Sequence, residues 1–224
     1  MTETSPLASL ASEPPGLTRD DEEYWPYRFA QGRLAAGVDA RLVDDDGSVL
    51  PWDGESVGEI ELRGSWITGS YLCTGSESDA EVAEMEAKFD NGWLRTGDVG
   101  RFSPDGYLVL TDRAKDVIKS GGEWISSVDL ENALMAHPDV AEGAVVGVPD
   151  ERWDERPLAC VVLVPDSTTT AVDLQTFLAD SFAKWQLPER WAFIDEVPKT
   201  SVGKFDKKVL RQQYSDDELA VQTI

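Results

Sequence analysis

The stretch from Thr111 to Ile125 combines residue types that suit ligand contact, because charged side chains and paired glycines stand close together in it. Its charged residues lead into the apolar pair Val117-Ile118, and a second apolar pair, Trp124-Ile125, follows Gly121-Gly122. This pattern predicts two short strands on either side of a glycine turn. Since glycine has no Cβ, such a turn lets the backbone approach a ligand closely. An ordinary charged hairpin explains the same pattern, so this stretch alone leaves both interpretations open.

Two further stretches flank this one. Upstream lies Gly92 to Asp98, Gly-Trp-Leu-Arg-Thr-Gly-Asp, which is followed by Asp105 to Leu108, Asp-Gly-Tyr-Leu. Downstream lies Pro198 to Asp206, Pro-Lys-Thr-Ser-Val-Gly-Lys-Phe-Asp. In this order and at these distances, the three stretches resemble the adenylate-forming superfamily of acyl-CoA synthetases, luciferases and peptide-synthetase adenylation domains. Residues 119–127, Lys-Ser-Gly-Gly-Glu-Trp-Ile-Ser-Ser, are most similar to the fatty-acyl-CoA ligases of that superfamily.

The resemblance implies both a fold and a reaction. The fold is α+β: residues 1–111 form the last part of the large AMP-binding domain, with a β-rich, barrel-like subdomain over about 35–110, and residues 112–224 form a compact, mobile α+β lid domain. In the implied reaction, ATP activates a carboxylic acid, here a fatty acid, to an acyl-adenylate. The acyl group then passes to CoA. Mg²⁺ is the implied metal ion.

The pattern of apolar residues supports a β-rich first half and a mixed second half. In the first half we predict strands over 38–43 and 58–64, a helix over 78–89 and a hairpin over 102–110, whereas 9–37 is predicted to be loop with at most a short helix. In the second half we predict a helix capped by Ser126 or Ser127, strands over 144–148, 159–164 and 191–194, an amphipathic helix over 172–185, a terminal helix over 206–214 and a frayed tail.

The resemblance assigns the nucleotide contacts to a few residues. Asp98 is implied to accept hydrogen bonds from both ribose hydroxyls of ATP, since a carboxylate suits a vicinal diol. Arg113 and Thr2 are implied to contact the nucleotide, and Glu3 is implied to help hold Mg²⁺, because a hard cation that bridges phosphates prefers carboxylate oxygens. The alternatives are a turn aspartate for Asp98, a surface arginine for Arg113 and a disordered start for Thr2 and Glu3.

The catalytic role is assigned to Lys204, whose ammonium would stabilise charge on the α-phosphate during adenylation. Lys115 matches the hinge about which the lid domain takes two orientations. In one orientation Lys204 reaches the nucleotide, and in the other the turn at Gly121 and Gly122 admits the pantetheine of CoA. The alternatives are a solvated lysine for Lys204 and an ordinary charged turn at Lys115.

No Gly-x-x-x-x-Gly-Lys-Ser/Thr phosphate loop occurs in these 224 residues. The family's Ser/Thr/Gly-rich phosphate loop lies upstream of the motif that Thr2 and Glu3 match, and so does most of its acyl pocket. We therefore expect a chain that is truncated at its N-terminus and inactive by itself. Two alternatives stay open: a non-catalytic binding or partner module, and a lid subunit of a split enzyme whose separate large subunit carries the phosphate loop.

The net charge of −23 argues against binding to nucleic acid or to an anionic membrane surface, since phosphates would be repelled. Such an acidic chain suits a high-salt cytoplasm, so we expect a halophilic source. We find no transmembrane segment and no secretion signal, and we expect Cys73 and Cys160 to be free thiols in the cytoplasm. His137 is the only histidine, and without a Ser or Cys partner motif it is not a catalytic candidate.

Overall fold

The computed structural model describes residues 1–201 and 203–224. Within them the chain divides into two compact units, Met1–Ala114 (unit 1) and Lys115–Ile224 (unit 2). The sequence places its domain boundary between residues 111 and 112, slightly before this division. Each unit has its own sheet and its own buried apolar cluster. The predicted mixed α+β fold with a β-rich first half is confirmed.

Unit 1 is an antiparallel sheet with two short helices and a 3-10 turn at Thr2–Thr4. Its strands are β1 (Ser9–Leu10), β2 (Gly32–Leu34), β3 (Val38–Val43), β4 (Val49–Leu50), β5 (Gly58–Gly64), β6 (Phe89–Asp90), β7 (Trp93–Phe102) and β8 (Tyr107–Arg113), and its helices are α1 (Tyr24–Phe29) and α2 (Asp79–Glu86). The strand order is β1-β2-β8-β7-β5-β3-β4, and β6 pairs with β7. The long strands β7 and β8 therefore lie in the middle of the sheet.

Alternating apolar residues explain the core of unit 1, because successive side chains of a strand point to opposite faces. Leu42 on β3, Ile60 and Leu62 on β5, and Phe102 at the end of β7 are buried together. The predicted strands over 38–43 and 58–64 are confirmed as β3 and β5. The predicted turn at Pro104-Asp105-Gly106 joins β7 to β8, as expected.

The helix predicted over 78–89 is shorter than expected. It begins after Ser78, whose side chain forms a capping box with Glu81, and α2 ends at Glu86. Phe89 instead belongs to β6, which folds back onto β7 through Asn91-Gly92. Both residues of that dipeptide have positive φ, 48° and 83°, and such a two-residue turn specifies a tight hairpin. The turn residues therefore override the helical spacing of Phe89.

Unit 2 is a mixed sheet with helices on its two faces. Its strands are β9 (Ile118–Ser120), β10 (Glu123–Ile125), β11 (Val140–Asp150), β12 (Asp154–Leu163), β13 (Arg190–Phe193) and β14 (Val221–Thr223), and its helices are α3 (Ser127–Met135), α4 (Ala171–Leu178) and α5 (Lys207–Ser215). The order is β10-β9-β12-β13-β14, with β11 beside β12, and β12 and β13 are parallel. One core cluster includes Leu130 of α3 and Leu174 of α4, and the other includes Leu210 of α5.

Three sequence predictions need correction. The helix predicted over 172–185 ends at Leu178, because the Leu178 carbonyl accepts the N–H groups of Ser181 and Phe182 and the chain turns there. The tail predicted to be frayed contains β14, which pairs with β13. The loop predicted over 9–37 contains α1, as allowed, but also β1 and β2. Strands of two or three residues are too short to show a period in the sequence.

Candidate functional site

Asp98 and Arg113 face each other on the two central strands of unit 1. They are paired residues of β7 and β8, and Arg113 Nη1 lies 2.9 Å from Asp98 Oδ1. Thr96 fixes the approach to Asp98, since its buried hydroxyl donates to the Ile60 carbonyl at 2.7 Å and accepts the Asp98 N–H at 3.1 Å. The sheet therefore presents the Asp98 carboxylate and the Arg113 guanidinium side by side.

Burial raises the pKa of the Asp98 carboxyl above its ordinary value, and the Arg113 guanidinium offsets this only in part. The side chain of Asp98 is 25% exposed, whereas that of Arg113 is 56% exposed. The charged carboxylate thus lies in a partly desolvated place where a hydrogen-bond donor from a ligand would stabilise it.

We expect Asp98→Asn to melt at the same temperature as the wild type or higher at pH 7. In the wild type the folded-state pKa lies above the unfolded value, so the stability linked to this group is fully present below the unfolded pKa and is lost as pH rises through the folded pKa. The advantage of the variant should therefore vanish as the pH falls towards 3.8, the ordinary value.

Thermal melts of both proteins from pH 4 to 7 measure this difference. Asp39→Asn is the matched control, since it removes an exposed pair with Arg63 and should change the melting temperature little. A variant that is clearly less stable than the wild type at pH 7, and stays so at low pH, would show that the contact with Arg113 outweighs the cost of burial.

The first residues of the chain pack against unit 1. The Glu3 carbonyl accepts the Thr68 N–H at 2.8 Å, and the Glu3 carboxylate accepts the Tyr71 hydroxyl at 2.9 Å. These contacts fix the segment, so a disordered start does not describe it. The pKa of Glu3 is lowered by its own backbone N–H and by Tyr71, and to a smaller degree by Arg113. Glu3, Asp98 and Arg113 therefore lie in one neighbourhood, and Thr2 lies exposed beside Glu3.

A small cavity of about 210 Å³ adjoins this neighbourhood. Asp98, Thr96, Met1, Thr4 and Leu108 are among its lining residues. Ligand pockets usually measure ~300–1,000 Å³, so this cavity suits one ring of a ligand more than a whole nucleotide. A ribose beside the Asp98 carboxylate is compatible with that size.

The Glu3 carboxylate is a suitable ligand for the implied Mg²⁺. Its pKa is lowered, so it is ionised at neutral pH, and Mg²⁺ usually combines one or two carboxylates with phosphate oxygens. Among residues 1–201 and 203–224, no group of three or more His, Cys, Asp or Glu residues could hold a metal ion by itself. Glu3 therefore suits a metal ion that arrives together with a phosphate ligand.

The glycine turn of unit 2 lies between β9 and β10, which confirms the hairpin predicted from the sequence. Gly121 has a φ of +64° and Gly122 a φ of +86°, a conformation that other residues rarely adopt. A Cβ at Gly121 would lie 2.7 Å from Cε3 of Trp153, whereas a Cβ at Gly122 would meet no atom within 4 Å. Gly121 is thus needed for packing, and Gly122 leaves an open approach to the backbone.

Arg156 contacts the residue that directly precedes this turn, and it was not among the site residues predicted from the sequence. It is only 4% exposed, and its Nη1 donates to the Ser120 hydroxyl at 3.0 Å and to the Trp185 carbonyl at 2.6 Å. Ser120 directly precedes Gly121, so Arg156 fixes the entry to the turn. The signal in the sequence is an arginine directly before the apolar run 157–163 of β12, because arginine is rarely buried without partners.

Lys204 lies on a loop that closes on itself. The Thr200 N–H donates to the Lys204 carbonyl at 2.7 Å, and the Gly203 N–H donates to the Thr200 carbonyl at 2.9 Å. The Lys204 side chain is exposed. Val202, which belongs to the predicted motif over 198–206, lies outside the described residues. The loop leads directly into α5, whose N-cap is Asp206.

The comparisons with known proteins agree with one another. Residues 129–204 match the family described as AMP-binding enzyme C-terminal domain. Over 217 residues the chain is 44% identical to a long-chain-fatty-acid–CoA ligase from Thermus thermophilus. This match covers 96% of this chain and 39% of the relative. Residues 129–204 therefore belong to the family of AMP-binding enzyme C-terminal domains, and nearly the whole chain is similar to part of a CoA ligase.

Solved adenylate-forming enzymes share the fold. ATP-bound MatB from Rhodopseudomonas palustris matches with a TM-score of 0.72 at 29% identity, over 97% of this chain and 40% of the other. The o-succinylbenzoate CoA synthetase from Bacillus subtilis, solved with the acyl-adenylate OSB-AMP, matches with a TM-score of 0.72 at 30% identity, over 96% of this chain and 40% of the other. The chain thus spans well under half the length of the adenylate-forming proteins that it matches.

His137, Cys73 and Cys160 are reactive residue types that do not belong to the candidate site. The His137 ring packs edge-on against the Phe177 ring with 4.9 Å between the ring centroids, and its Nδ1 accepts the Asp139 N–H at 3.2 Å. Cys73 and Cys160 are free thiols, as predicted, and burial raises the pKa of Cys160 to about 12. In the part of the chain that the structure describes, no helix is both long and apolar enough to span a membrane.

Proposed function

We propose that this chain is the nucleotide-clamping and lid part of an AMP-forming fatty-acyl-CoA ligase. ATP and a fatty acid would react to an acyl-adenylate and pyrophosphate, and the acyl group would then pass to CoA. The observation that carries the proposal is the grouping of Glu3, Asp98 and Arg113 in unit 1, because a carboxylate for the ribose, a cation for the phosphate and a carboxylate for Mg²⁺ are what this chemistry needs.

Each residue of the grouping has a separate task. The Asp98 carboxylate accepts the ribose hydroxyls, which stabilises its charge in a partly desolvated site. Arg113 and Thr2 bind the phosphate side of the nucleotide. Glu3 would hold Mg²⁺, which neutralises phosphate charge during adenylation. Tyr71 keeps the Glu3 carboxylate in place through its hydroxyl.

Unit 2 would supply two different groups to the two half-reactions. The Lys204 ammonium stabilises the charge that builds on the α-phosphate, and its flanking turn with Gly203 presents it at the surface. Gly122 lets pantetheine pass close to the backbone, since no atom lies within 4 Å of the position of its absent Cβ. Lys115, the first residue of unit 2, is the proposed hinge between the two orientations.

Two alternatives from the sequence analysis are less well supported. A lid subunit of a split enzyme needs a separate large subunit, whereas the Thermus relative matches this chain within a single longer protein. A non-catalytic binding module would not need the exposed Lys204 on its closed loop, because no packing role within the described residues explains that lysine. The ligase is therefore the function that we propose.

Fatty-acid-dependent exchange of pyrophosphate into ATP tests the proposal. The part of the Thermus relative that precedes the matching region is fused ahead of this chain at Met1. We expect exchange by the fused protein and none by the 224 residues alone, since they contain no phosphate-loop motif and catalysis needs both reactants held in line. Robust exchange by the 224 residues alone would contradict the division of roles. A folded fusion that binds ATP but never exchanges would contradict the ligase itself.

A further inference from the structure

The helix that follows the Lys204 loop is tied to unit 2 at several points. Asp206 ends the loop, and its N–H donates to the Pro198 carbonyl at 2.7 Å. The same residue caps α5, because its carboxylate accepts the Val209 N–H at 3.4 Å. Leu210, one turn further on, is completely buried. The orientation of α5 therefore sets the orientation of the loop that carries Lys204.

Two cationic side chains anchor one face of α5, since residues four apart on a helix are neighbours. Lys207 Nζ lies 2.8 Å from the Glu131 carboxylate on α3 and donates to the Ser127 hydroxyl at 2.7 Å. The Lys207 and Glu131 side chains are only 11% and 13% exposed, so removal of one partner would leave a charge buried without its counter-ion. Lys207 thus fixes the start of α5 against α3.

Arg211 makes the second anchor, and it binds the segment at which unit 2 begins. Its Nη2 donates to the Lys115 carbonyl at 3.0 Å and lies 3.0 Å from Oδ1 of Asp116. One guanidinium therefore holds both a backbone carbonyl and a carboxylate of adjacent residues. Hydrogen bonds of this kind are stronger than neutral ones, because the donor is charged.

We propose that Arg211 is a positioning residue that clamps the Lys115-Asp116 segment onto α5 and so fixes the Lys204 loop relative to the hinge. The inference rests on the proposed function, since it takes Lys115 as the hinge and Lys204 as the catalytic lysine. Through Arg211, a rotation at Lys115 moves α5 with it as one rigid piece. Without Arg211 the Lys115-Asp116 segment turns independently of α5, so a rotation at the hinge places the Lys204 loop less definitely and Lys204 reaches the α-phosphate less often.

The first arm of the test needs no enzymatic activity. Trypsin cleaves after Lys115 only when this segment leaves its folded position, and Arg211 holds the Lys115 carbonyl in place. In the 224-residue chain we expect Arg211→Ala to raise cleavage after Lys115 by about tenfold relative to cleavage after Arg190 on β13 of the same unit, as read by mass spectrometry. Arg211→Lys should fall between, since an ammonium keeps the charge but is more strongly hydrated than the planar guanidinium. Gln212→Ala, on the same helix, is the matched control.

The second arm measures pyrophosphate exchange in the fused ligase. We expect Arg211→Ala to lower kcat for adenylation several-fold and to leave the KM for ATP nearly unchanged, with partial recovery in Arg211→Lys. A merely structural role would increase cleavage at Lys115 and Arg190 alike, because both lie in unit 2, and that result would overturn the proposal. Faster cleavage after Lys115 with an unchanged kcat would overturn it as well. An inactive wild-type fusion, by contrast, would count against the proposed function and not against the clamp that trypsin detects.

Discussion

Lys204→Ala in the fused ligase is expected to reduce the adenylation half-reaction by about 10²-fold or more, the scale for loss of one group that stabilises transition-state charge. The reason is that charge on the α-phosphate is largest in the transition state, so the ammonium lowers the barrier more than it tightens binding of ATP. Transfer of the acyl group from pre-made acyl-adenylate to CoA should change much less. Pyrophosphate exchange and single-turnover thioester formation, measured separately, give the two rates.

Lys208→Ala is the matched control for this experiment. It removes the same charge from an exposed side chain four residues further along, on α5. Equal losses in both variants would show that only net charge matters in this acidic chain. Equal losses in both half-reactions of Lys204→Ala would show that the lysine does not act in one orientation only.

Gly122→Leu is expected to have the opposite effect. Its side chain would enter the open space beside the turn and block the approach of pantetheine, so thioester formation should fall by on the order of 10²-fold while adenylation stays nearly intact. Gly122 is a better choice than Gly121, because a Cβ at Gly121 would already clash with Trp153 inside the fold. Thioester formation from pre-made acyl-adenylate is the measurement.

The control must carry the same backbone strain. Gly47→Leu meets that need, since Gly47 has a φ of +82° and no atom within 4 Å of the ideal Cβ, and it lies in the turn between β3 and β4. A similar loss of thioester formation in Gly47→Leu would assign the effect to strain. An unchanged thioester rate in Gly122→Leu would remove the glycine turn from the CoA step.

Long periodic elements could be predicted from the sequence, because their burial repeats along the chain. The strand predicted over 58–64 has the same bounds as β5, and the helix predicted with Ser126 or Ser127 as its cap is α3, which Ser126 caps. The β14 strand could not be predicted, since three residues show no period and its pairing with β13 is a distant contact. The early end of α4 at Leu178 was missed for a related reason: apolar spacing continued beyond the helix.

The candidate site residues could be named where the family resemblance assigns them through a motif. Asp98 and Arg113 were named from their motifs, and the strand register then brought them face to face. Arg211 was not named, because its role depends on a contact with Lys115 across 96 residues of sequence. Tyr71 was missed in the same way, since its partner Glu3 is 68 residues away. Such pairings become visible only when the chain is folded.

The clamp at Arg211 also bears on how such proteins exchange parts by recombination. Arg211, Lys115, Asp116 and Lys204 all lie in Lys115–Ile224, so a crossover between Ala114 and Lys115 would transfer them together. The incoming block would bring its own hinge residue and its own clamp already matched to each other. A crossover between α4 and α5 would instead join an Asp116 from one parent to an arginine from the other. Inherited blocks that begin at Lys115 should therefore outnumber those that begin within unit 2 among functional hybrids.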